Sequence, residues 1–357
     1  MVEQLCTAPD IFSIPVDLPQ NPLRRLNAYV IRSEGEALVI DTGFNRPECH
    51  KALWAGIREL GLDLSRTSVF LTHLHSDHSG LAWDFVNRGC KIYMGRIDYA
   101  YLAAIKRGEV WPVMEKRFCD EGYPQEEISL QEEGNQGRRY AVDRIFPAEL
   151  VEDGTELRVG EVLIRCVHTP GHTPGHMVLY LPEQKLLFSG DHILFDITPN
   201  ISIWKDVEGS LASYLDSLQK ICTLDVLRTF PAHRGAGESV YDRIQQIMEH
   251  HNQRLWEIFH TVQATPGRTA FEIAAKIKWS ARGTPFDQFP PHQKWFAMGE
   301  TLAHLDYLLK QGEIESTSNN GKIHYFALNK DVAGIGHGSK KEIHRSVHFS
   351  THYWTGF

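Results

Sequence analysis

The segment of residues 72–80 constrains the fold of this chain more than any other, since it reads THLHSDHSG directly after a short apolar run. Three imidazoles and one carboxylate, those of His73, His75, Asp77 and His78, fall within it. Nitrogen and oxygen donors at this density suit a borderline divalent cation such as zinc, and their lone pairs would be difficult to satisfy in a core without one. The pattern therefore predicts a metal-binding loop at the end of a strand, and a fold that brings further ligands to that loop.

Three later segments place candidate ligands just after other predicted strands. They read HTPGHTPGH at residues 168–176, LFSGDH at residues 187–192 and FPAHR at residues 230–234. The first segment offers His168, His172 and His176, and the other two offer Asp191 and His233. Each segment is a weak signal alone, but the segments in this order predict one shared site, with glycines that let the backbone approach an ion closely.

The composition is that of an ordinary folded protein, because 357 residues with 42% hydrophobic and 23% charged side chains predict about two domains. A net charge of −8 does not favour a nucleic-acid or membrane partner, so we expect neither. The apolar runs fall short of the roughly 18 residues of a membrane span, and the first residues lack the pattern of an export signal. Six scattered cysteines without a C-x-x-C pair are typical of reduced thiols, so we expect a cytoplasmic protein.

Together with VIDTG at residues 39–43, these motifs resemble the five motifs of the metallo-β-lactamase-fold hydrolases, in particular those of the glyoxalase II-like and lactonase-like branches. The resemblance covers about residues 10–235. It implies an α/β fold, an αββα sandwich in which the metal loops collect at one edge of two packed sheets. It also implies two divalent metal ions per chain, with zinc expected and manganese or iron as alternatives. Asp41 is expected to hydrogen-bond to a metal ligand rather than to bind an ion itself.

The same resemblance implies a division of the ligands between two ions. The first ion is held by His73, His75 and His172, the second by Asp77, His78 and His233, and Asp191 bridges the two. The family pattern favours His172 over His168 and His176, and we expect His176 to pack beside the site at the start of an apolar strand. Asp77 and Asp191 are the candidate catalytic residues.

The reaction that the resemblance implies is hydrolysis. Two close divalent ions lower the pKa of a shared water toward neutrality, so that a bridging hydroxide can attack a carbonyl or phosphoryl group. No G-x-S-x-G segment offers a serine nucleophile, which agrees with this mechanism. The expected substrate is a small-molecule ester, lactone or thioester. Phosphodiester cleavage by a nuclease-like hydrolase and oxidation by a mononuclear iron sulfur dioxygenase stay open as alternatives, whereas the complete ligand set argues against a non-catalytic regulator.

Two departures from the sequence patterns of these branches narrow the range of expected substrates. Leu194 stands three residues after Asp191, where acyl-homoserine lactonases carry a tyrosine. The C-terminal part of the chain also differs from the helical domain with which glyoxalase II enzymes bind glutathione. These departures argue against a quorum-signal lactone and against a glutathione thioester.

The chain after the metal motifs predicts a second, mainly helical domain with a winged-helix-like outline. Apolar spacing predicts a helix from residue 240 onward, TAFE at residues 269–272 is a capping box, and an Asn-Gly turn at residues 320–321 follows a third helix. Residues 292–330 hold four lysines and four acidic side chains, so they have no excess of positive charge with which to bind nucleic-acid phosphates. We expect this domain to pack against the catalytic domain or to form a homodimer surface.

These observations divide the chain into three parts. They are a catalytic domain of residues 1–238 with a helical insertion at about residues 99–133, the winged-helix-like domain of residues 239–330, and a tail of residues 331–357. The insertion carries Trp111, Phe118 and Tyr123, which either wall the substrate pocket or pack their own helices, and the sequence favours neither. The tail holds His337, His344, His348 and His352, for which we expect no metal site.

Overall fold

Two β-sheets packed face to face form the centre of the molecule, as a computed structural model of residues 1–279 and 284–328 describes it. The first sheet follows chain order with β1 (Glu3–Thr7), β2 (Asp10–Asp17), β3 (Arg25–Ser33), β4 (Glu36–Ile40), β5 (Thr67–Leu71), β6 (Lys91–Gly95) and β7 (Glu149–Val151). Strands β1 to β4 are antiparallel neighbours, and β4 to β7 are parallel.

The second sheet has the order β12-β11-β10-β9-β8. Its strands are β8 (Glu156–Val159), β9 (Val162–His168), β10 (Met177–Leu181), β11 (Leu186–Gly190) and β12 (Arg228–Pro231). The pairs are antiparallel except β11 with β12, which run parallel. Gly160 has a φ of 52° and turns the chain between β8 and β9.

Side-chain alternation along the strands separates the core between the sheets from the cores under the helices. In β3, Tyr29 and Ile31 face the second sheet, whereas Ala28 and Val30 face the helical layer. The Tyr29 ring packs against Phe188 of β11, with ring centroids 5.3 Å apart. Each sheet thus buries both of its faces, which gives the αββα sandwich that the sequence resemblance implied.

Helices cover the outer faces of both sheets and make up most of the C-terminal part. They are α1 (Pro47–Glu59), α2 (Ser76–Ser79), α3 (Ala82–Val86), α4 (Arg96–Lys106), α5 (Trp111–Asp120), α6 (Glu127–Gly134), α7 (Gln136–Arg139), α8 (Ser210–Cys222), α9 (Val240–Ala264), α10 (Ala270–Ala274) and α11 (Pro291–Lys310). A hairpin of β13 (Ile314–Asn319) and β14 (Lys322–Ala327) follows. No helix in the described ranges is long and apolar enough to cross a membrane.

The C-terminal elements come in the order that the sequence predicts: long helix, capped helix, third helix and hairpin. The capping box is confirmed, since the Thr269 backbone N–H donates to the Glu272 carboxylate at 3.0 Å and the Glu272 N–H donates to the Thr269 hydroxyl at 3.4 Å. The domain boundaries and the winged-helix comparison stay predictions. The tail of residues 331–357, with its four histidines, lies outside the described residues.

Four helices, α4 to α7, lie between β6 and β7, in the region where the sequence predicted a helical insertion. Phe118 of α5 stacks on Trp295 of α11 with ring centroids 3.8 Å apart, and Tyr123 packs edge-on against the same indole. The Arg138 guanidinium lies 4.0 Å above the centroid of the Trp111 ring. The three aromatic side chains of the insertion therefore serve packing, and two of them join the insertion to α11.

Candidate metal centre

The predicted ligands meet where strands of the two sheets end at a common edge. β5 ends at Leu71, and the following loop carries His73 and His75 before α2 begins at Ser76. The segments after β9, β11 and β12 supply His172, Asp191 and His233, respectively. All of these ligand side chains except that of His75, which is partly exposed, are buried.

The first group consists of three imidazole nitrogens that face one another. His75 Nδ1 lies 3.0 Å from His73 Nε2 and 3.0 Å from His172 Nε2. Ligand atoms held about 2.0–2.1 Å from a tetrahedral zinc ion are about 3.3 Å apart, so this spacing fits a single cation. The three nitrogens belong to one cluster of candidate metal-binding groups, as the sequence resemblance implied.

The second group joins a carboxylate to two imidazoles. Asp77 Oδ2 lies 3.7 Å from His78 Nε2 and 3.4 Å from His233 Nε2. Asp191 lies between the two groups, with Oδ2 at 3.6 Å from both His172 Nε2 and His78 Nε2, and Oδ1 at 3.4 Å from His233 Nε2. Its carboxylate therefore faces both groups, and the bridging role that the resemblance implies stays a prediction.

Three of these buried atoms have no hydrogen-bond partner within the described part of the chain: His78 Nε2, His233 Nε2 and Asp191 Oδ1. Leaving a buried polar atom unpaired costs about 1–3 kcal/mol, and more when the group is charged. Three such atoms within one cluster are explained by a cation that all of them coordinate. The donor set therefore fits divalent metal ions.

In three of the candidate ligand histidines, the ring nitrogen that faces away from the cluster is fixed by a hydrogen bond to the protein. His78 Nδ1 donates to the Asp41 carboxylate at 2.8 Å, His172 Nδ1 to the Asn200 carbonyl at 2.9 Å and His233 Nδ1 to the Arg25 carbonyl at 2.7 Å. Because a carbonyl oxygen can only accept, the proton sits on Nδ1 and the Nε2 lone pair points into the cluster. This arrangement orients metal-binding histidines in known sites.

Asp41 reaches His78 through an unusual backbone conformation. Its φ is 62°, in the left-handed region that few residues other than glycine, asparagine and aspartate adopt easily. There its carboxylate also accepts hydrogen bonds from the Thr72 backbone N–H at 2.8 Å and from the Thr72 hydroxyl. The carboxylate thus holds the loop that carries the ligands and orients one ligand ring.

The electrostatics of the two groups differ. Burial, together with the neighbouring imidazoles, lowers the pKa of His73, and burial lowers that of His75 to about 3. Burial works in the same direction at His78, but the carboxylates of Asp41, Asp191 and Asp77 overcome it and raise the His78 pKa well above its usual value. The first group therefore presents neutral imidazoles, whereas in the second group the carboxylates favour a proton on His78 that a bound cation would displace.

The other two histidines of the third motif do not join these groups. His168 Nε2 donates to the Pro174 carbonyl at 3.0 Å. His176 is buried with its Nδ1 at 2.9 Å from the Thr169 hydroxyl, while its Nε2 accepts the Asp191 backbone N–H at 3.2 Å. Both ring nitrogens of His176 have protein partners, so this side chain packs beside the site and holds the Asp191 backbone.

Asp98 is a residue at this site that the sequence analysis did not single out. It is fully buried at the start of α4, and its carboxylate accepts the backbone N–H groups of Leu74 at 2.9 Å and Gly175 at 2.6 Å, and the Thr173 hydroxyl at 2.7 Å. One side chain therefore ties the loop of the first two ligands to the loop of His172. The available signal was its position, because Asp98 follows a parallel strand that ends at the same edge.

An aromatic side chain borders the first group. The Trp204 ring lies 5.9 Å from the His75 ring at 30° to it, and Tyr101 packs edge-on against the same indole. Trp204 lies in the irregular segment between β11 and α8, where no periodic pattern marks it in the sequence. This contact gives His75 an aromatic neighbour.

Comparison with known proteins gives the family. Residues 22–233 match the family described as the Metallo-beta-lactamase superfamily, and residues 286–329 match the one described as Metallo-beta-lactamase-like, C-terminal domain. Since the first match covers more than half of the chain, the protein belongs to the metallo-beta-lactamase superfamily, whose members are generally hydrolases.

Relatives of similar architecture support this assignment. A metallo-beta-lactamase family protein from Thermus thermophilus superposes with a TM-score of 0.76 at 28% identity, covering 89% of this chain and 98% of that one. The Beta-lactamase-like protein 2 homolog of Caenorhabditis elegans is 24% identical over 90% of this chain and 88% of its own length. The Atrochrysone carboxyl ACP thioesterase of Emericella nidulans is 27% identical over 65% of this chain, which spans 57% of that protein.

Proposed function

We propose that this protein is a dinuclear metal-dependent hydrolase that cleaves an ester bond of a small molecule, with a thioester as the favoured substrate. The observation that carries this proposal is the convergence of candidate metal-binding atoms from four separate loops. Three of these atoms are buried and have no hydrogen-bond partner in the described part of the chain. Zinc is the favoured metal, since imidazole and carboxylate donors at these separations suit its size and coordination.

Bound divalent ions would supply a water of near-neutral pKa and a Lewis acid that polarises the acyl oxygen. The chain's own contribution is to fix the donors. His73, His75 and His172 would hold the first ion, because burial keeps these imidazoles neutral and their lone pairs converge. The loop contacts of Asp98 keep these ligands from moving apart.

The second half of the site would depend on carboxylates. The imidazoles of His78 and His233 lower the pKa of Asp77 to about 2 in spite of its burial, so this carboxylate is ionised at neutral pH. Asp77, His78 and His233 would hold the second ion, and Asp191 would contact both. As ionised groups beside the reacting atoms, Asp77 and Asp191 are also the groups best placed to accept a proton, although metal binding weakens a carboxylate as a base.

The preference for a thioester rests on the relatives rather than on a pocket. Three fungal relatives at 24–27% identity carry the description Atrochrysone carboxyl ACP thioesterase, and all three are longer than this chain. Thioester hydrolysis needs no side-chain nucleophile when the attacking water is activated. The apolar flank that Trp204 gives to His75 suits an acyl group.

Metal content measured beside a substrate panel tests this proposal. The purified protein should contain close to two zinc or manganese ions per chain and hydrolyse members of a panel of thioesters, esters and lactones. One iron per chain with oxygen consumption would instead identify the sulfur dioxygenase, and exclusive turnover of phosphodiesters would identify the nuclease-like alternative. His73→Ala and Asp191→Ala should abolish hydrolysis while the far-ultraviolet circular dichroism stays unchanged.

A further inference from the structure

The hydrogen-bond partner of His172 lies in a segment without regular secondary structure. His172 Nδ1 donates to the backbone carbonyl of Asn200, between β11 and α8. That carbonyl decides where the imidazole points, because it fixes both the tautomer and the plane of the ring. Any element that holds Asn200 in place therefore also holds a candidate metal ligand.

Helix α11 of the C-terminal part contacts this segment at consecutive residues. The Asn200 side-chain amide donates to the Phe296 carbonyl at 3.4 Å and to the Glu300 carboxylate at 3.5 Å. A Cβ at Gly299 would overlap the Ser202 hydroxyl, so the helix backbone lies directly against the segment at this point. Ile201, between the two contacts, is fully buried in the same hydrophobic cluster as neighbouring residues of α11.

The Glu300 carboxylate is itself held in place by an ion pair with a buried arginine. Arg254 of α9, only 6% exposed, places its Nε 3.2 Å from Glu300 Oε1, and its guanidinium lies 4.4 Å above the centroid of the Trp279 ring. The other carboxylate oxygen of Glu300 is the one that faces Asn200. Further along, the Gly209 backbone N–H donates to Asp306 of α11 at 3.0 Å, so the end of the same segment is fixed by the same helix.

We propose that α11 is a positioning element of the metal centre, in which Glu300 and Gly299 hold the segment at Asn200 and thereby set the affinity of the ion bound by His172. This inference rests on the proposed function, since it requires that the centre binds metal. Glu300 and Gly299 are positioning residues because they act through the segment at Asn200 and contact none of the candidate metal-binding atoms. On this account the C-terminal part completes the metal centre in addition to packing against the catalytic part.

Zinc affinity of the full-length protein tests this inference without reference to turnover. The metal-free protein is titrated with zinc against a chromophoric chelator, and each variant is compared with the wild type. Changes to groups behind a metal ligand typically weaken metal binding by about 10–100-fold. We expect Glu300→Ala to weaken one of the two zinc sites by about 10-fold and to leave the other unchanged, and Glu300→Gln, which keeps an acceptor for Asn200, to stay close to the wild type.

A matched control separates positioning from general destabilisation. Glu257 also pairs with Arg254, at 3.1 Å, but has no contact with Asn200 in the described structure. Glu257→Ala should therefore leave both zinc affinities unchanged. An equal loss of affinity in Glu257→Ala and Glu300→Ala would overturn the inference.

A second pair of variants keeps the test decisive if Glu300→Ala does not fold. Gly299→Ala should push the segment away through the Ser202 hydroxyl and weaken the same zinc site, and the added change Ser202→Ala should restore much of that affinity. Wild-type zinc affinities in Gly299→Ala would contradict the inference while leaving the proposed function intact. Failure of the wild-type protein to bind zinc at all would instead contradict the proposed function.

Discussion

At the scale of single residues, the clustering of the candidate ligands was predictable, and the groups that hold them in place were only partly so. The imidazoles and carboxylates of both groups stand out in the sequence because H-x-H-x-D-H and its later partners form a dense, ordered pattern. It missed Asn200 because a backbone carbonyl makes the contact with His172, and every residue type carries one. Asp98 was missed because a lone aspartate after a strand is common.

Asp41→Asn tests how the orientation of His78 affects the second group. Asparagine adopts a positive φ more readily than most residues, so this substitution avoids backbone strain at Asp41 while weakening the hydrogen bond to His78 Nδ1. We expect zinc at the Asp77, His78 and His233 group to bind about 10–100-fold more weakly and the other zinc to bind as before. Equilibrium dialysis with elemental analysis measures both, and undiminished binding of two ions would contradict the assigned role.

Asp98→Ala tests the link between the two ligand loops. Removing the carboxylate leaves the buried Leu74 and Gly175 N–H groups unpaired, which costs about 1–3 kcal/mol for each group. In Asp98→Ala, both the free energy of unfolding and the zinc affinity of the His73, His75 and His172 group should decrease. Asp98→Asn retains one acceptor and serves as the milder control, and an Asp98→Ala protein with wild-type stability would contradict this account.

At the scale of secondary-structure elements, apolar spacing marks helices, whereas strands without a motif are harder to predict. Leu53, Trp54 and Ile57 have the spacing of an amphipathic helix, and all three side chains are buried in α1. Strands β1 and β2 were not predicted, because the metal motifs lie downstream of them and no motif marks Glu3–Thr7 or Asp10–Asp17. It left open what the aromatic residues of the insertion pack against, since partners distant in sequence decide that.

The contact between α5 and β14 predicts a pH dependence of stability. Glu121 is buried there, accepting the Tyr325 hydroxyl at 2.9 Å beside the Arg117 guanidinium. Burial raises the Glu121 pKa to about 7 although Arg117 and Tyr325 oppose that shift. Since the folded pKa exceeds the unfolded value, the contribution of Glu121 to stability is complete below about pH 4.5 and is lost as the pH rises through 7.

Glu121→Gln removes this titration. The wild type should lose stability relative to the variant between pH 5 and pH 8, by up to about 3 kcal/mol at about 1.4 kcal/mol per pKa unit. Urea unfolding of both proteins across this pH range measures the difference. A difference in unfolding free energy that does not change with pH would show that Glu121 keeps its charge throughout, paired with Arg117.

At the scale of the whole molecule, the sandwich fold followed from the resemblance of the motifs, but the role of the C-terminal part did not. Its elements were predicted from helical spacing, the capping box and the Asn-Gly turn, whereas its contact with the segment at Asn200 depends on a close approach at Gly299 that no pattern encodes. A homodimer, proposed from the sequence for this part of the chain, stays a prediction.

Metal removal should change the stability of the folded chain as a whole. Ions that bind only the folded state stabilise it by about 4 kcal/mol each when the free ion is at 1,000 times its Kd. We expect chelation to lower the Tm by several degrees and added zinc to restore it. In His73→Ala the zinc-dependent rise should be much smaller, and a Tm that does not respond to chelation in the wild type would contradict a metal centre in the folded protein.

The central claim, that loops from both sheets hold two cations for hydrolysis, is tested most directly by counting metal ions in active protein. Elemental analysis of the purified wild type and of Asp191→Ala, beside their rates of thioester hydrolysis, gives that count. The account predicts close to two ions per chain and turnover in the wild type, and fewer ions with no turnover in the variant. Hydrolysis by metal-free wild type, or by Asp191→Ala at the wild-type rate, would contradict it.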